Sequence, residues 1–134
     1  MKKLLILLTT IALFSSCSKH ITVQYQPVKE NTGTVTILPS KNTVGTTVTI
    51  NDSLIVRKKK VKSLTITNVP EGTHTIQYNT DNSNYKYPLD TAITVEMKPN
   101  KELTKTVKVP PYSTGYYVYR GLGMVAGILL FIFL

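Results

Sequence analysis

Apolar and polar residues alternate with a period of two through the middle of the chain, in Ile21-Thr22-Val23-Gln24-Tyr25, Thr34-Val35-Thr36-Ile37, Thr47-Val48-Thr49-Ile50 and Ser63-Leu64-Thr65-Ile66-Thr67. The same alternation returns in Thr73 to Tyr78, Thr91 to Met97 and Lys105 to Val109. Successive side chains of a strand point to opposite faces, so this pattern, rich in Thr and Val, predicts half-buried β-strands. Turn chemistry separates them at Glu30-Asn31-Thr32-Gly33, Pro39-Ser40-Lys41-Asn42, Asn51-Asp52, Pro70-Glu71-Gly72, Asp81-Asn82-Ser83-Asn84 and Pro99-Asn100. No segment before Gly115 shows the helical apolar period of about 3.6. The expected fold is all-β, a small antiparallel β-sandwich of about seven strands over residues 33–111. Its expected core is Val35, Ile37, Val48, Ile50, Leu64, Ile66, Ile76, Ile93, Val95 and Val107.

Two hydrophobic segments flank these strands. Met1-Lys2-Lys3, an apolar stretch from Leu4 to Phe14, and Ser15-Ser16 before Cys17 have the layout of a secretory signal peptide over residues 1–16. About eleven apolar residues are too few for a stable span of about 20, so the segment is an export signal. At the other end, residues 112–134 form an expected membrane segment. Gly121 to Leu134 is apolar without a break, and Tyr112, Tyr116, Tyr117, Tyr119 and Arg120 precede it. Tyrosine rings rest at head-group depth and a guanidinium snorkels to water, which is how a membrane segment marks its interface. A helix from Tyr117 to Leu134 would be about 27 Å long, against about 30 Å of hydrocarbon. Crossing a thin bilayer and inserting short of the far face both stay open. A buried final element is the blander reading, but Leu129 to Leu134 has no polar side to leave outside. Gly123 and Gly127, four apart, have the spacing by which two such helices pack, which would make a homo-oligomer.

Removing residues 1–16 leaves fourteen basic residues against seven acidic, a net charge of +7. Such a surface attracts acidic head groups, glycans or an acidic protein, within a screening length of about 8 Å. The charge is densest in Arg57-Lys58-Lys59-Lys60-Val61-Lys62. Both faces of a continuing strand would be charged there, so a solvated loop or a sheet edge is expected. Edge lysines ordinarily keep strands from pairing with strangers; a grip on an anionic surface is the sharper reading. With one cysteine there is no internal disulfide, and stability rests on the core.

Catalytic chemistry is thin. His20 falls in the expected tether behind Cys17, and His74 reads as a bland, partly exposed strand residue. The acids are scattered singly, without the pairing that acid/base work needs. Asp81-Asn82-Ser83-Asn84-Tyr85 lacks the closing glutamate and the glycine of a calcium loop. No zinc spacing, phosphate loop or activated nucleophile is present. Neither enzyme activity, a metal, nor a cofactor is expected.

Leu13-Phe14-Ser15-Ser16-Cys17 resembles the lipobox of bacterial lipoproteins, in which the cysteine is diacylated and becomes the first residue of the mature chain. The resemblance implies a lipid on Cys17, residues 17–32 as tether and first strand, and a place in the bacterial cell envelope. Ser18 after the cysteine resembles an outer-membrane sorting signal, whereas an apolar helix favours the inner membrane. The domain would then lie in the periplasm or on the outer surface, where nucleic acid is no partner. Residues Gly33 to Tyr78, with Gly33-Thr34-Val35-Thr36-Ile37-Leu38-Pro39-Ser40 and Asn68-Val69-Pro70-Glu71-Gly72, resemble PEGA-type domains; transthyretin-like and immunoglobulin-like sandwiches stay equally open. That likeness implies a non-catalytic extracytoplasmic module. The expected function is a membrane-anchored, non-enzymatic envelope lipoprotein whose sandwich binds a protein partner or scaffolds assembly. The alternative is a carbohydrate or head-group binder using the run 57–62 with Tyr85 and Tyr87.

Overall fold

The computed structural model describes residues 19–27 and 30–133, with all side chains among them except those of Asn82 and residues 130–133. The signal peptide 1–16, Cys17 and Ser18 lie outside the described residues. Seven strands follow in order: β1 (Lys19–Gln24), β2 (Thr32–Pro39), β3 (Thr43–Ile50), β4 (Ser53–Pro70), β5 (Gly72–Asn79), β6 (Asp90–Met97) and β7 (Glu102–Val107). A 3-10 turn, Asn82–Asn84, precedes β6, and a helix, α1 (Thr114–Phe133), follows β7.

The strands join in one sheet of order β6-β5-β3-β4-β2-β7, with β1 added on β4. The ends of this path, β6 and β7, are linked by the short turn 98–101, so the sheet curls back on itself like a barrel. The fold is therefore mostly β with about the expected number of strands, but the purely antiparallel sandwich is corrected. β1 runs parallel to β4, and β2 runs parallel to β7. The chain leaves β1 and returns as β2 on the other flank of β4, antiparallel to it, so β1 must run with β4.

β4 decides the architecture. Its first half, up to Val61, pairs with β3, and its second half pairs with β1 and β2, so one strand serves both halves of the fold. Val56, Val61, Leu64, Ile66 and Val69 are all buried along it. Strict alternation would put Val56 and Val61 on opposite faces, and the same holds for Val61 with Leu64 and Ile66 with Val69. At each of these odd steps the register shifts by an extra residue on β4. Lys58 and Asn68 adopt left-handed φ angles of 47° and 56° within two of the steps. Bulges of this kind bend a strand and re-aim its side chains.

The basic run Arg57 to Lys62 is thus no loop: it is the bulged middle of β4, with Val61 pointing into the core. Among the described residues, β3 is the one strand paired with residues 53–60, which agrees with the expected sheet edge. Nine expected core residues are buried; Ile93 packs against the core only partly buried, because β6 closes one end of the sheet path. Asn51 and Asp52 both have positive φ, 46° and 65°, which is the two-residue hairpin geometry that matches strand twist. β1, Lys19–Gln24, falls within residues 17–32, the span read as tether and first strand.

Candidate functional site

The elements converge at one pole of the fold. Val61 on β4 pairs with Lys19 at the start of β1 on one side and Thr43 at the start of β3 on the other. Neighbouring strands are about 4.8 Å apart, so the chain enters the domain within about 10 Å of the Pro39-to-Thr43 connection. β2 ends at Pro39 opposite Val107, the last residue of β7. Ser40 N–H donates to the Val107 carbonyl at 2.8 Å, and Ser40 Oγ accepts from Val109 N–H at 2.9 Å. The chain then passes through Pro110, Pro111 and Tyr112 into α1. Lys19, where β1 begins, and the base of α1 thus lie at the same pole.

A stack of tyrosines seats the helix. Tyr85 and Tyr112 lie ring on ring with centroids 5.2 Å apart, and Tyr112 and Tyr116 at 4.4 Å; Tyr117 meets Tyr112 edge-on at 6.0 Å. Offset aromatic pairs of this kind are worth about 1 kcal/mol beyond their buried area. The Lys41 ammonium stands 4.4 Å over the Tyr112 ring, a cation–π contact. Tyr112 donates its hydroxyl to the Asn42 carbonyl, and Tyr85 accepts at 2.7 Å from Val44 N–H. Lys86 N–H donates to the Pro111 carbonyl at 2.9 Å and Ser113 N–H to the Asn84 carbonyl at 3.0 Å. Ser113 Oγ caps the helix by accepting from Tyr116 N–H at 3.3 Å.

Under the stack, the fully buried Tyr78 shares a hydrogen bond of 2.7 Å with Thr43 Oγ1, which also receives the Thr46 hydroxyl at 2.6 Å. Burial pushes the phenols of Tyr78, Tyr85 and Tyr112 above the ordinary value of 10.0. A phenol whose folded value is raised stabilises the fold fully below its unfolded value and loses that stability as pH rises above it. The urea midpoint is therefore expected to fall between about pH 9 and 11, and to fall less in Tyr85→Phe. That variant starts from a lower midpoint, because Val44 N–H loses its acceptor at a cost of about 1–3 kcal/mol. An alkaline loss of equal size in both proteins would refute this assignment.

Above the tyrosines α1 stands apart from the sheet. From Tyr117 to Leu129 every described side chain is exposed, Leu122, Met124, Val125, Ile128 and Leu129 among them. Among the described residues no helix is long and apolar enough to cross a membrane, so the expected spanning helix is not met there. The described side chains stop before Leu130, the start of the most apolar stretch. A Cβ built on Gly123 or Gly127 meets nothing within 4 Å, so both face open space.

The remaining expected residues scatter. Lys58 lines an open cleft of about 330 Å³ with Gly45, Thr47, Asn79, Thr80 and Asp81. Ser83 hydrogen bonds, helped by Lys58, hold the Asp81 carboxyl below the usual carboxylate value. Arg57, Lys59 and Lys62 are exposed along β4, and Lys60 is also on the surface. Tyr85 is buried at 4% exposure, which removes it from any ligand platform, while Tyr87 stays exposed. Of the two tyrosines expected to meet a carbohydrate or head group, only Tyr87 is at the surface. His20 is not in a tether: it is in β1, bonded to Ser63 Oγ. His74 is buried rather than partly exposed, between the Pro70 carbonyl and the Asn51 amide, both at 2.9 Å, with Tyr25 edge-on. Among the described residues no three His, Cys, Asp or Glu side chains gather to hold a metal.

Sequence reading passed over Lys41 and Lys86, which lie in turns whose composition signals only a turn. What brings them to the helix base is the pairing of distant segments, Tyr85 with Tyr112 above all. No family model matches the chain, and no curated protein matches it.

Proposed function

We propose that the protein is a membrane-anchored, non-enzymatic lipoprotein of the bacterial cell envelope, whose β-domain is a binding or assembly module held at the bilayer. The observation that carries this reading is α1: a helix latched by its base to the domain, with apolar side chains exposed on every side beyond the tyrosines. A helix apolar all round needs an apolar surrounding, and the tyrosine and arginine collar sets the depth at which that surrounding begins. The helix inserts its apolar end into the bilayer. The start of β1 at Lys19 adds support, because only Ser18 separates a lipid on Cys17 from the first strand in sequence. Two anchors at one pole fix orientation and raise the local concentration of the module for a partner. The outer edges of β1, β6 and β7 carry no strand partner among the described residues and offer main-chain groups to one.

Fatty-acid labelling of wild type and Cys17→Ser, followed by separation of inner and outer membranes, tests the reading. Label on the wild type alone is expected, with Cys17→Ser still in the membrane fraction through α1. Absence of label on the wild type refutes the lipoprotein. Release of Cys17→Ser into the soluble fraction refutes anchoring by the helix.

A further inference from the structure

The charges divide by pole. Glu30, Asp52, Glu71, Glu96 and Glu102 all fall at the end opposite the helix: in the β1–β2 connection, the Asn51-Asp52 hairpin, the turn into β5, the end of β6 and the start of β7. These are five of the seven acids of the chain. Asp81 and Asp90 remain at the helix pole. The first is engaged by Ser83, and the second accepts at 2.6 Å from the Asn79 side-chain amide. Around them stand Lys19 at the start of β1, Lys41 over Tyr112, Lys62 beside Val61, Lys86 over Tyr87 at 5.6 Å, and Arg120 in the first turns of α1. Exposed Tyr87 adds to this ring an amphipathic side chain of the type that rests at head-group depth.

We infer that this pole is a docking face for an anionic phospholipid surface, with Lys19, Lys41, Lys62, Lys86 and Arg120 contacting head-group phosphates around the inserted helix. The inference rests on the membrane reading of α1 and adds to it an orientation and a lipid preference. The occupant follows from continuity and charge. The apolar helix rises out of the cationic ring itself, so the surface that receives the helix is the one that meets the ring. A bilayer supplies both the hydrocarbon for Leu122 to Leu129 and the negative charge for the ring. The docking residues are thus assigned to the whole pole rather than to the run 57–62 alone, of which Lys58 turns into the cleft beside Asp81.

Two charge reversals of equal net effect test the face. Lys62→Glu with Lys86→Glu alters the helix pole; Lys98→Glu with Lys101→Glu alters the far pole, where both residues are exposed in the turn between β6 and β7. Partition coefficients of the full chain are measured by flotation with vesicles of phosphatidylcholine alone and with about one third phosphatidylglycerol. A basic residue near an anionic surface strengthens binding about fivefold. The pole reversal is therefore expected to lose at least about 25-fold on the anionic vesicles and little on neutral ones, and the far-pole reversal less than about threefold on either. Equal losses from the two reversals, or none from the first, overturn the face. Equal binding of wild type to both vesicles also overturns it while leaving helix insertion standing. Failure of wild type to bind any vesicle overturns the membrane reading and the face with it. Binding to heparin without preference for anionic vesicles reassigns the pole to acidic glycan and overturns the lipid.

Discussion

Ile66→Ala is expected to lower the unfolding free energy by about 4 kcal/mol, within the 2–5 kcal/mol range for truncating a buried Ile. Ile66 has no exposed surface, and its strand is flanked on both sides: it pairs with Val35 on β2 and with Val23 on β1. Neither neighbour can move into the vacated volume without breaking its own ladder, so the cavity stays open. A small domain holds only about 5–15 kcal/mol in all, so this one change removes a large part of it. Urea titration followed by circular dichroism reads the shift in midpoint. Ile66→Val should cost only about 1 kcal/mol, and Ile93→Ala clearly less than Ile66→Ala because Ile93 is partly exposed. Equal losses at Ile66 and Ile93 would show that β4 is not the centre of the core.

Gly33→Ala should cost about 3 kcal/mol, near the upper end of overpacking effects. A Cβ at Gly33 would stand 2.2 Å from Met97 Sδ and 2.7 Å from the Lys101 carbonyl oxygen. The sulfur belongs to a flexible side chain and can swing aside; the carbonyl cannot. Lys101 O accepts from Thr34 N–H at 2.9 Å, and Asn100 N–H donates to Thr32 O at 2.9 Å, so the turn 98–101 is bonded to β2 on both sides of Gly33. That seam ties the turn between β6 and β7 to β2. The double variant Gly33→Ala with Met97→Ala separates the two contacts: the Lys101 clash remains, so stability should not return. Full recovery in the double variant would mean that the sulfur alone mattered. Gly72→Ala is a useful comparison of another kind, since nothing stands near its Cβ but its φ of 121° disfavours any side chain.

The same two positions show why sequence reading went as far as it did. Ile66 lies in Ser63 to Thr67, a run of regular alternation, and regular alternation is a local property that reports its buried face directly. Gly33 reads locally only as a turn residue, because the carbonyl that excludes a side chain there comes from the distant turn 98–101. Tyr85 and Tyr112 follow the same rule. Tyr112 is legible as part of a tyrosine belt before an apolar segment, but nothing in the local pattern marks its ring partner Tyr85 as buried. Only the bridge between them buries it.

The sequence by itself determined the strands and their turns, the inward faces of the regular strands, and an apolar helix behind tyrosines at the end of the chain. Each is set by side-chain periodicity and by residues whose own φ preferences make a turn. The tertiary structure decided that the basic run continues a strand, that the sheet is mixed and curls back on itself, and that Lys19, Lys41, Lys86 and α1 meet at one pole. Bulges along β4 break the period of two, and the pairing of that strand with three others fixes where they fall. Pairings between distant segments leave no mark in the local pattern, so the pole where Lys19 and the base of α1 meet is visible only once the strands have paired.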